Sequence, residues 1–386
     1  MQVSLITSPG KAIVEYQIPM TEFSSQEYLR YTRHIQLSSI GVNGQSKLNN
    51  SHVLIVGCGG LGAPVSLYLA AAGVGSITLI DGDVVELSNL QRQITFSEDD
   101  IGKSKAQCTQ QRLQRLNSDI HITAINESLS TDNAEAFIQS ADLVLDCTDN
   151  FATRYLINDI CKLNNTAWIY ASVYQSSGQC ALFTPDQSCF RCLFPNPPQD
   201  ALDCNSAGVL GVLPGLLGTL QATEALKVLA GITPAISNTL LMVETDDMHF
   251  QKIALQQDKN CFCCNNKSFT FNPLSTHYQM QCTTDETPIH SIAAADFKEW
   301  SKRDDVLLID VRDKNENKAF NLGGEHIPLH RLSSSTAASL TTITHNKTII
   351  LYCQSGVRSQ QACQLLREHN INAFSVVGGI AQIIRY

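Results

Sequence analysis

Short apolar runs alternate with segments of helical spacing along two stretches of the chain, and this alternation predicts two α/β units. In the first stretch the strand-like runs are 52–56, 76–80, 143–146 and 168–173. The helical segments between them are 61–72, 105–116 and 151–163. Strands that alternate regularly with helices form parallel sheets covered by those helices. We therefore expect such a sheet in the first unit.

The remaining pattern completes the first unit and sets off a second, smaller one. A long apolar segment at 212–229 predicts a buried helix, and the runs 239–244 and 248–255 predict a hairpin, which makes the sheet mixed. Beyond a polar, irregular stretch, the runs 306–309, 347–352 and 374–377 predict a small α/β unit. The expected divisions are a loose lead-in over 1–24, a domain over 25–264, a linker over 265–287 and a domain over 288–386.

Charge and cysteine content narrow the classes of function. The formal net charge of −9 argues against non-specific nucleic-acid binding, because that needs a basic surface. The apolar runs all fall short of the roughly 20 residues that span a bilayer, and Met1–Glu15 lacks the pattern of a secretory signal. We expect a cytoplasmic protein without a membrane partner. There, its 14 cysteines are better candidates for metal ligands and nucleophiles than for disulfides.

A glycine-rich turn follows the first strand and opens the next helix. It contains Gly57, Gly59, Gly60 and Gly62. Such a turn presents backbone N–H groups and a helix N-terminus to a phosphate. Asp81 ends the next strand, where an acidic side chain can bind ribose hydroxyls. Taken alone, the pattern fits a nicotinamide dehydrogenase equally well, and a purely structural turn would carry the same glycines.

Further motifs follow in a fixed order and carry a family resemblance. They are the stretches 81–83, 88–93 (Ser-Asn-Leu-Gln-Arg-Gln), 102–105 (Gly-Lys-Ser-Lys) and 146–150 (Asp-Cys-Thr-Asp-Asn), with 31–33 and 41–48 upstream. On these motifs, residues 25–264 resemble the MoeB/ThiF family, the bacterial relatives of ubiquitin-activating enzymes. The resemblance implies a Rossmann-like ATP-binding domain with a mixed sheet.

The resemblance also implies a role for each matching residue. Arg92 and Lys105 contact the ATP phosphates, Asp149 holds Mg²⁺ and Asp81 holds the ribose, and Asn89 belongs to the same nucleotide-binding set. In the family, the counterpart of Arg33 reaches into the neighbouring subunit's site, which implies a homodimer. Without the resemblance, Arg92 and Lys105 would each be read as solvated surface charges.

The chemistry implied is adenylation of the C-terminal glycine of a small ubiquitin-like sulfur-carrier protein. That carboxylate is already ionised near neutral pH, so it attacks the α-phosphate of ATP without a general base, and pyrophosphate leaves. The barrier lies in bringing an anion to a polyanion and in stabilising charge on the phosphoryl oxygens, which cations and Mg²⁺ do. A dehydrogenase has no such use for Arg92 and Lys105.

Two Cys-x-x-Cys pairs predict a metal site. The first pair is Cys189 and Cys192, and the second is Cys261 and Cys264. Each pair can present two thiolates on one tight turn, and together they make a closed tetrahedral zinc site, which is structural because it leaves no open position. Cys263 could replace Cys264, although the spacing favours Cys264. Buried inert cysteines, or a redox-active pair, are the alternatives.

Cys204 is a candidate for covalent chemistry. In relatives, the matching cysteine can bond to the carrier's C-terminus through sulfur, and some relatives do not need it. A cysteine without a bonded partner is also often a small buried hydrophobic residue, so both interpretations stay open.

The strand at 347–352 leads into a loop that begins at Cys353 and contains Arg358, and a helix follows. A cysteine placed there points its sulfur into a ring of backbone N–H groups, which favours the thiolate, and Arg358 adds positive charge. With the stretch 307–313 and the pair 378–379, residues 286–386 resemble a rhodanese domain. A dual-specificity phosphatase loop has five residues between Cys and Arg where this loop has four, and an inactive rhodanese-like module usually lacks the cysteine.

The sequence thus predicts an adenylating domain joined to a sulfurtransferase domain. A persulfide on Cys353 supplies sulfur, and the product is a carrier thiocarboxylate, most often for molybdenum cofactor synthesis in bacterial proteins with this domain pair. Thiamine synthesis, tRNA thiolation and cysteine synthesis use related carriers. The sulfur donor is expected to be a cysteine desulfurase or thiosulfate. A non-catalytic scaffold that docks carriers stays an alternative.

Overall fold

An eight-stranded sheet is the centre of the first unit, residues 1–280. The computed structural model describes residues 3–8, 11–16, 23–196, 208–265, 270, 271, 278, 291–332 and 347–385. The strands of this unit are β1 (Val3–Ser8), β2 (Lys11–Tyr16), β3 (His52–Val56), β4 (Ser76–Ile80), β5 (His121–Ile125), β6 (Leu143–Asp146), β7 (Ala167–Tyr174), β8 (Ser177–Phe183), β9 (Thr239–Glu244) and β10 (His249–Ala254).

The large sheet is parallel on one side and antiparallel on the other. Its order is β10-β9-β8-β7-β6-β3-β4-β5. Strands β7, β6, β3, β4 and β5 run parallel, and β8, β9 and β10 are added in antiparallel fashion. The mixed sheet and the β9–β10 hairpin are therefore confirmed. Strand β8 was not predicted, because its glycine and glutamine interrupt the apolar pattern.

Helices cover both faces of this sheet. They are α1 (Ser25–Ile35), α2 (Gly41–Asn49), α3 (Gly62–Ala71), α4 (Lys105–Leu116), α5 (Ala134–Gln139), α6 (Phe151–Asn164), α7 (Phe190–Leu193), α8 (Val212–Ala230) and α9 (Phe262–Asn265). Successive residues of β3 point to opposite sides: Ile55 joins an apolar cluster with Leu217 of α8, and Leu54 joins another with Tyr155 of α6. Burial on both faces explains why these strands are continuous apolar runs.

Residues 3–8 and 11–16, within the expected lead-in, form a hairpin. Strands β1 and β2 pair antiparallel, with Val3 opposite Tyr16 and Ser8 opposite Lys11. The domain bounds stay a prediction, but the sequence did not indicate this hairpin. Its residues carry no strict polar–apolar alternation, which is the signal by which a half-buried strand is recognised in sequence.

Five parallel strands form the sheet of the second unit, residues 281–386. They are β11 (Ser291–Ile292), β12 (Val306–Asp310), β13 (Glu325–His326), β14 (Thr348–Tyr352) and β15 (Ala373–Val376), in the order β11-β15-β14-β12-β13. The helices are α10 (Phe297–Trp300), α11 (Lys314–Ala319), α12 (Val357–Glu368) and α13 (Gly379–Ile383). Most of the predicted linker, 265–287, lies outside the described residues.

Within the described ranges, no helix is both long and apolar enough to cross a bilayer.

Candidate functional site

The glycine turn between β3 and α3 is packed too closely to admit side chains at three of its four glycines, Gly59 being the exception. Gly57 has a φ of +95°, and a Cβ added there would lie 2.7 Å from the carbonyl oxygen of Cys147. A Cβ on Gly62 would lie 2.1 Å from the carbonyl oxygen of Gly57, and one on Gly60 would lie 2.8 Å from Pro214. The turn is therefore held at the carboxyl ends of β3 and β6, where bare backbone N–H groups can approach a phosphate.

Asp81 binds the glycine turn through its carboxylate. One oxygen accepts the backbone N–H of Cys58 at 2.7 Å, and the other accepts that of Asp83 at 2.8 Å. Burial raises the pKa of Asp81, and these hydrogen bonds and Lys105 oppose the rise. Each carboxylate oxygen has a second lone pair, so ribose hydroxyls can still be bound.

Lys105 enters the same region from the first turn of α4. Its Nζ donates to Asp83 Oδ2 at 2.8 Å, and the lysine is only 7% exposed. Asp83 in turn bonds Asp81 through its backbone, so the turn, the acid and the cation form one connected group. A lysine that is nearly buried beside a glycine turn does not fit the reading of Lys105 as a solvated surface charge.

Arg92, Asn89 and Asp149 lie around the same edge of the sheet. The backbone oxygen of Arg92 is 3.5 Å from the position of a Cβ on Gly60, and its guanidinium donates to the carbonyl oxygen of Ser88 at 3.1 Å. Asn89 is buried, and its side-chain oxygen accepts the backbone N–H of Glu86 at 3.1 Å. Asp149 is exposed in the loop after β6, two residues beyond the Cys147 carbonyl that packs on the glycine turn.

An exposed carboxylate beside a phosphate cradle is the donor that Mg²⁺ takes when it bridges a protein and a nucleotide, because the ion keeps most of its water and needs one or two carboxylates. Asp149 fits that requirement.

Arg33 is exposed in the last turn of α1, which packs against α2. Cys204 lies outside the described residues.

The two Cys-x-x-Cys pairs come together. The Sγ atoms of Cys189, Cys192, Cys261 and Cys264 all lie within 4.8 Å of one another. Three of the separations are 3.5 Å (Cys189 to Cys261), 3.6 Å (Cys192 to Cys264) and 3.9 Å (Cys189 to Cys192). Four sulfurs at about 2.3 Å from a tetrahedral zinc lie about 3.8 Å apart, so the cluster already has the dimensions of such a site.

Cys263 packs beside this cluster but is not one of its four sulfurs. Its Sγ donates to Asp159 Oδ1 at 3.0 Å. The same buried carboxylate accepts from Arg191 Nε at 2.8 Å, from Arg191 Nη2 at 2.6 Å and from the hydroxyl of Tyr278 at 2.6 Å. Because Arg191 lies between Cys189 and Cys192, Asp159 fixes both turns that carry the cluster. Asp159 was not predicted, since an acid inside α6 has no spacing that links it to the cysteines.

In the second unit, Cys353 follows β14 directly and is fully buried. Its Sγ accepts the backbone N–H of Gly356 at 3.1 Å, the backbone N–H of Ser359 at 3.4 Å and the hydroxyl of Ser359 at 3.5 Å. Gly356, with a φ of +94°, turns the chain into α12 and directs these N–H groups at the sulfur. Three donors around one sulfur stabilise a thiolate or a persulfide anion.

Arg358 is held by acids rather than directed only at the sulfur. Its guanidinium donates to both oxygens of Glu316, at 2.6 and 2.7 Å, and lies 3.8 Å from Asp313. A second pair, Arg312 and Asp310, is buried at the end of β12. Burial raises the pKa of Asp310, but its hydrogen bonds from Arg312 outweigh burial and leave the pKa lowered. Glu316 was not predicted from the sequence, because a helical glutamate is ordinarily a surface residue.

Both units match known families. Residues 31–265 match the ThiF family, and residues 293–385 match the Rhodanese-like domain. The chain belongs to the ThiF family. It is 37% identical over 373 residues to the Adenylyltransferase and sulfurtransferase MOCS3 of Xenopus laevis. The aligned residues cover 89% of this chain and 82% of that protein.

Two further comparisons cover the first unit of this ThiF-family chain. It is 45% identical over 248 residues to the Sulfur carrier protein ThiS adenylyltransferase of Escherichia coli (strain K12), over 64% of this chain and 98% of that protein. The crystal structure of E. coli MccB with ATP superposes with a TM-score of 0.55 at 28% identity, over 61% of this chain and 75% of that chain. The predicted family and fold class are confirmed, and the chain is an adenylyltransferase and sulfurtransferase.

Proposed function

We propose that the chain uses ATP to adenylate the C-terminal glycine of a small ubiquitin-like sulfur-carrier protein and then converts that glycine to a thiocarboxylate. The observation that supports this most is that one chain carries both a glycine turn joined to a buried lysine and a cysteine inside a ring of donors. The relative that is 45% identical to the first unit acts, by its name, on the sulfur carrier protein ThiS.

In the first half-reaction, the backbone of the glycine turn and Arg92 and Lys105 neutralise the phosphates of ATP. Asp81 binds the ribose, Asp149 would hold Mg²⁺, which would supply further positive charge to the phosphates, and Arg33 contributes from the partner subunit of a homodimer. The carrier carboxylate attacks the α-phosphorus and pyrophosphate leaves, so the chain's task is to position two anions and to offset their charge. Asn89 supports the site by fixing the turn before Arg92, as its bond to the Glu86 backbone indicates.

In the second half-reaction, Cys353 carries sulfane sulfur as a persulfide. The terminal sulfur attacks the acyl-adenylate carbonyl, the bond to AMP breaks, and the carrier becomes joined to Cys353 by an acyl disulfide. A thiolate then attacks Cys353 Sγ, the S–S bond breaks and the carrier leaves as a thiocarboxylate, with a disulfide left on the enzyme for reduction by an external thiol. Cys204 is the chain's own candidate for that thiolate. Arg358 supports the loop through Glu316 and adds positive charge near the sulfur.

The four-cysteine cluster holds a structural zinc ion in this account. When bound, the metal joins the two turns that begin at Cys189 and Cys261, and a site closed by four thiolates leaves no position for substrate. The separations between sulfur atoms support this assignment.

For the pathway, we propose molybdenum cofactor synthesis in the cytoplasm, with sulfur supplied by a cysteine desulfurase or by thiosulfate. Thiamine synthesis and tRNA thiolation use the same chemistry, and the similarity to the ThiS adenylyltransferase supports the first of these two as the main competitor.

Carrier-dependent exchange of pyrophosphate into ATP tests the proposal and separates the pathways. The carriers of the three pathways are supplied one at a time with ATP and labelled pyrophosphate. We expect exchange with one carrier far above the others, and none with a carrier that lacks its C-terminal glycine. Binding of a carrier with no exchange would favour a docking scaffold over an enzyme.

A further inference from the structure

Two buried hydroxyls, those of Ser359 and Ser375, form a hydrogen-bonded chain that reaches the sulfur of Cys353. Ser359 Oγ is 3.5 Å from Cys353 Sγ and 2.9 Å from the carbonyl oxygen of Gly356. On its other side it lies 2.8 Å from the hydroxyl of Ser375, on the neighbouring strand β15. Cys353 and Ser359 are 0% exposed and Ser375 is 1% exposed, so the fold shields this group from bulk solvent.

The proton count of this group fixes the direction of its hydrogen bonds. A serine hydroxyl has one proton to donate and two lone pairs to accept with. A buried hydroxyl proton needs an acceptor, and the acceptor beside Ser375 is Ser359 Oγ. Ser375 therefore donates to Ser359, and the single proton of Ser359 is left for either the Gly356 carbonyl or the Cys353 sulfur.

We propose that Ser375 is a positioning residue for sulfur transfer, because its donated hydrogen bond fixes Ser359 as a donor to the sulfur of Cys353. While the sulfur is a neutral thiol, the proton of Ser359 points to the nearer Gly356 carbonyl. When the sulfur is a thiolate, the charge draws that proton to itself, since a charged acceptor makes the stronger hydrogen bond. Without Ser375, Ser359 can turn to a different rotamer, and the thiolate keeps only its two backbone donors.

This role rests on the proposed function, in which the Cys353 thiolate accepts sulfur. In the loading step the thiolate attacks the outer sulfur of a donor persulfide, the donor S–S bond breaks, and its electron pair leaves on the donor thiolate. A better stabilised thiolate is present at a lower pH, so the effect of Ser375 is greatest where most of the cysteine is still protonated.

Several charged and titratable groups lie in the loop of Cys353 and in the elements packed against it, whereas the described side-chain hydrogen bond of Ser375 goes to Ser359. They are Arg358 with Glu316 and Asp313, Arg312 with Asp310, His326 at the Arg312 carbonyl, His330 beside Asp313, Tyr352 and Cys363. Burial raises the pKa of Tyr352 to about 12 and that of Cys363 to about 11, so both stay protonated near neutrality. Any difference between variant and parent therefore reports on Cys353.

The test is the pH dependence of Cys353 alkylation in the full-length protein. Iodoacetamide is added between about pH 6 and pH 10, and the peptide that contains Cys353 is quantified by mass spectrometry. For Ser375→Ala we expect a higher pH midpoint and an unchanged plateau at high pH. Below the midpoint the alkylation rate should be about three- to tenfold lower, which corresponds to the loss of one hydrogen bond. Ser375→Thr restores the hydroxyl and should restore the parent profile.

Cys363→Ala is the matched control. It removes a buried hydrogen bond from the same helix and strand, to the carbonyl oxygen of Ala373, without touching this group, and should leave the midpoint unchanged. A midpoint for Ser375→Ala equal to that of the parent, or a plateau lowered at every pH, would overturn the proposal. Loading of parent Cys353 by cysteine persulfide is measured alongside. Failure of that loading would contradict the proposed function, whereas the alkylation profile decides the role of Ser375 by itself.

Discussion

Two adjacent cysteines, Cys263 and Cys264, are expected to differ sharply in their effect on metal content. Cys264 Sγ belongs to the four-sulfur cluster, whereas Cys263 Sγ donates a hydrogen bond to Asp159. We therefore predict about one zinc ion per chain in the parent and in Cys263→Ala, and loss of most zinc in Cys264→Ala.

The size of the effect follows from the two environments. A closed structural zinc site is worth about 10–16 kcal/mol in apparent binding, which is as large as the about 5–15 kcal/mol that stabilises a whole domain. Losing one of four ligands therefore unfolds at least the turns at Cys189 and Cys261. Cys263→Ala removes one hydrogen bond to Asp159, which still accepts four others, so it should lower the free energy of unfolding by only about 1–3 kcal/mol.

Metal analysis of the purified proteins and thermal unfolding, with and without a chelator, measure both quantities. The parent and Cys263→Ala should each lose stability on chelation, and Cys264→Ala should already be destabilised and respond little. The reasoning is refuted if Cys264→Ala keeps its zinc while Cys263→Ala loses it, or if the folded, active parent contains no zinc.

Three further predictions concern the other sites. Arg92→Ala and Lys105→Ala are each expected to abolish carrier-dependent pyrophosphate exchange in a folded protein, at about 3–4 kcal/mol of lost transition-state stabilisation; parent-like exchange would remove that residue from the site. Glu316→Gln breaks the pair with Arg358 and should destabilise the second unit by about 1 kcal/mol, while exchange is unchanged; an unchanged melting profile would contradict this. The pKa of Asp310 is lowered in the fold, so its ionised carboxylate contributes fully to the free energy of unfolding above its ordinary pKa, and this contribution disappears as the pH falls through the lowered value. Asp310→Asn should therefore flatten the dependence of the second unit's stability on pH in acid.

Most of the strands and helices could be predicted because their signals are local. Strand β3 is apolar on both faces and has a glycine turn at its end, and α8 is a long apolar segment that ends at Gly231, whose φ of +79° suits glycine. The hairpin of β1 and β2 and the strands β5 and β8 lack such patterns and were missed. Their pairing depends on neighbours that are remote in sequence or on a register that alternation does not reveal.

The candidate site residues divide in a similar way. Cysteine spacing and the glycine turn are visible in sequence because several residues must be near one another along the chain. Asp159 and Glu316 are not visible in this way, because their partners are remote in sequence. Asp159 binds Arg191, 32 residues away, and Glu316 binds Arg358, 42 residues away. The two-residue spacing favoured Cys264 over Cys263 but could not show where Cys263 points, which depends on the buried carboxylate behind it.

The central claim is that one chain activates a carrier and also delivers sulfur to it from Cys353. Mass spectrometry of the carrier, after incubation with ATP, Mg²⁺, a sulfur donor and either the parent or Cys353→Ala, tests it most directly. We predict that both proteins support pyrophosphate exchange, and that only the parent makes a carrier in which one oxygen is replaced by sulfur. A thiocarboxylate formed at the parent rate by Cys353→Ala would show that the second unit is not the donor, and loss of exchange in the folded mutant would show that the two half-reactions are not separate.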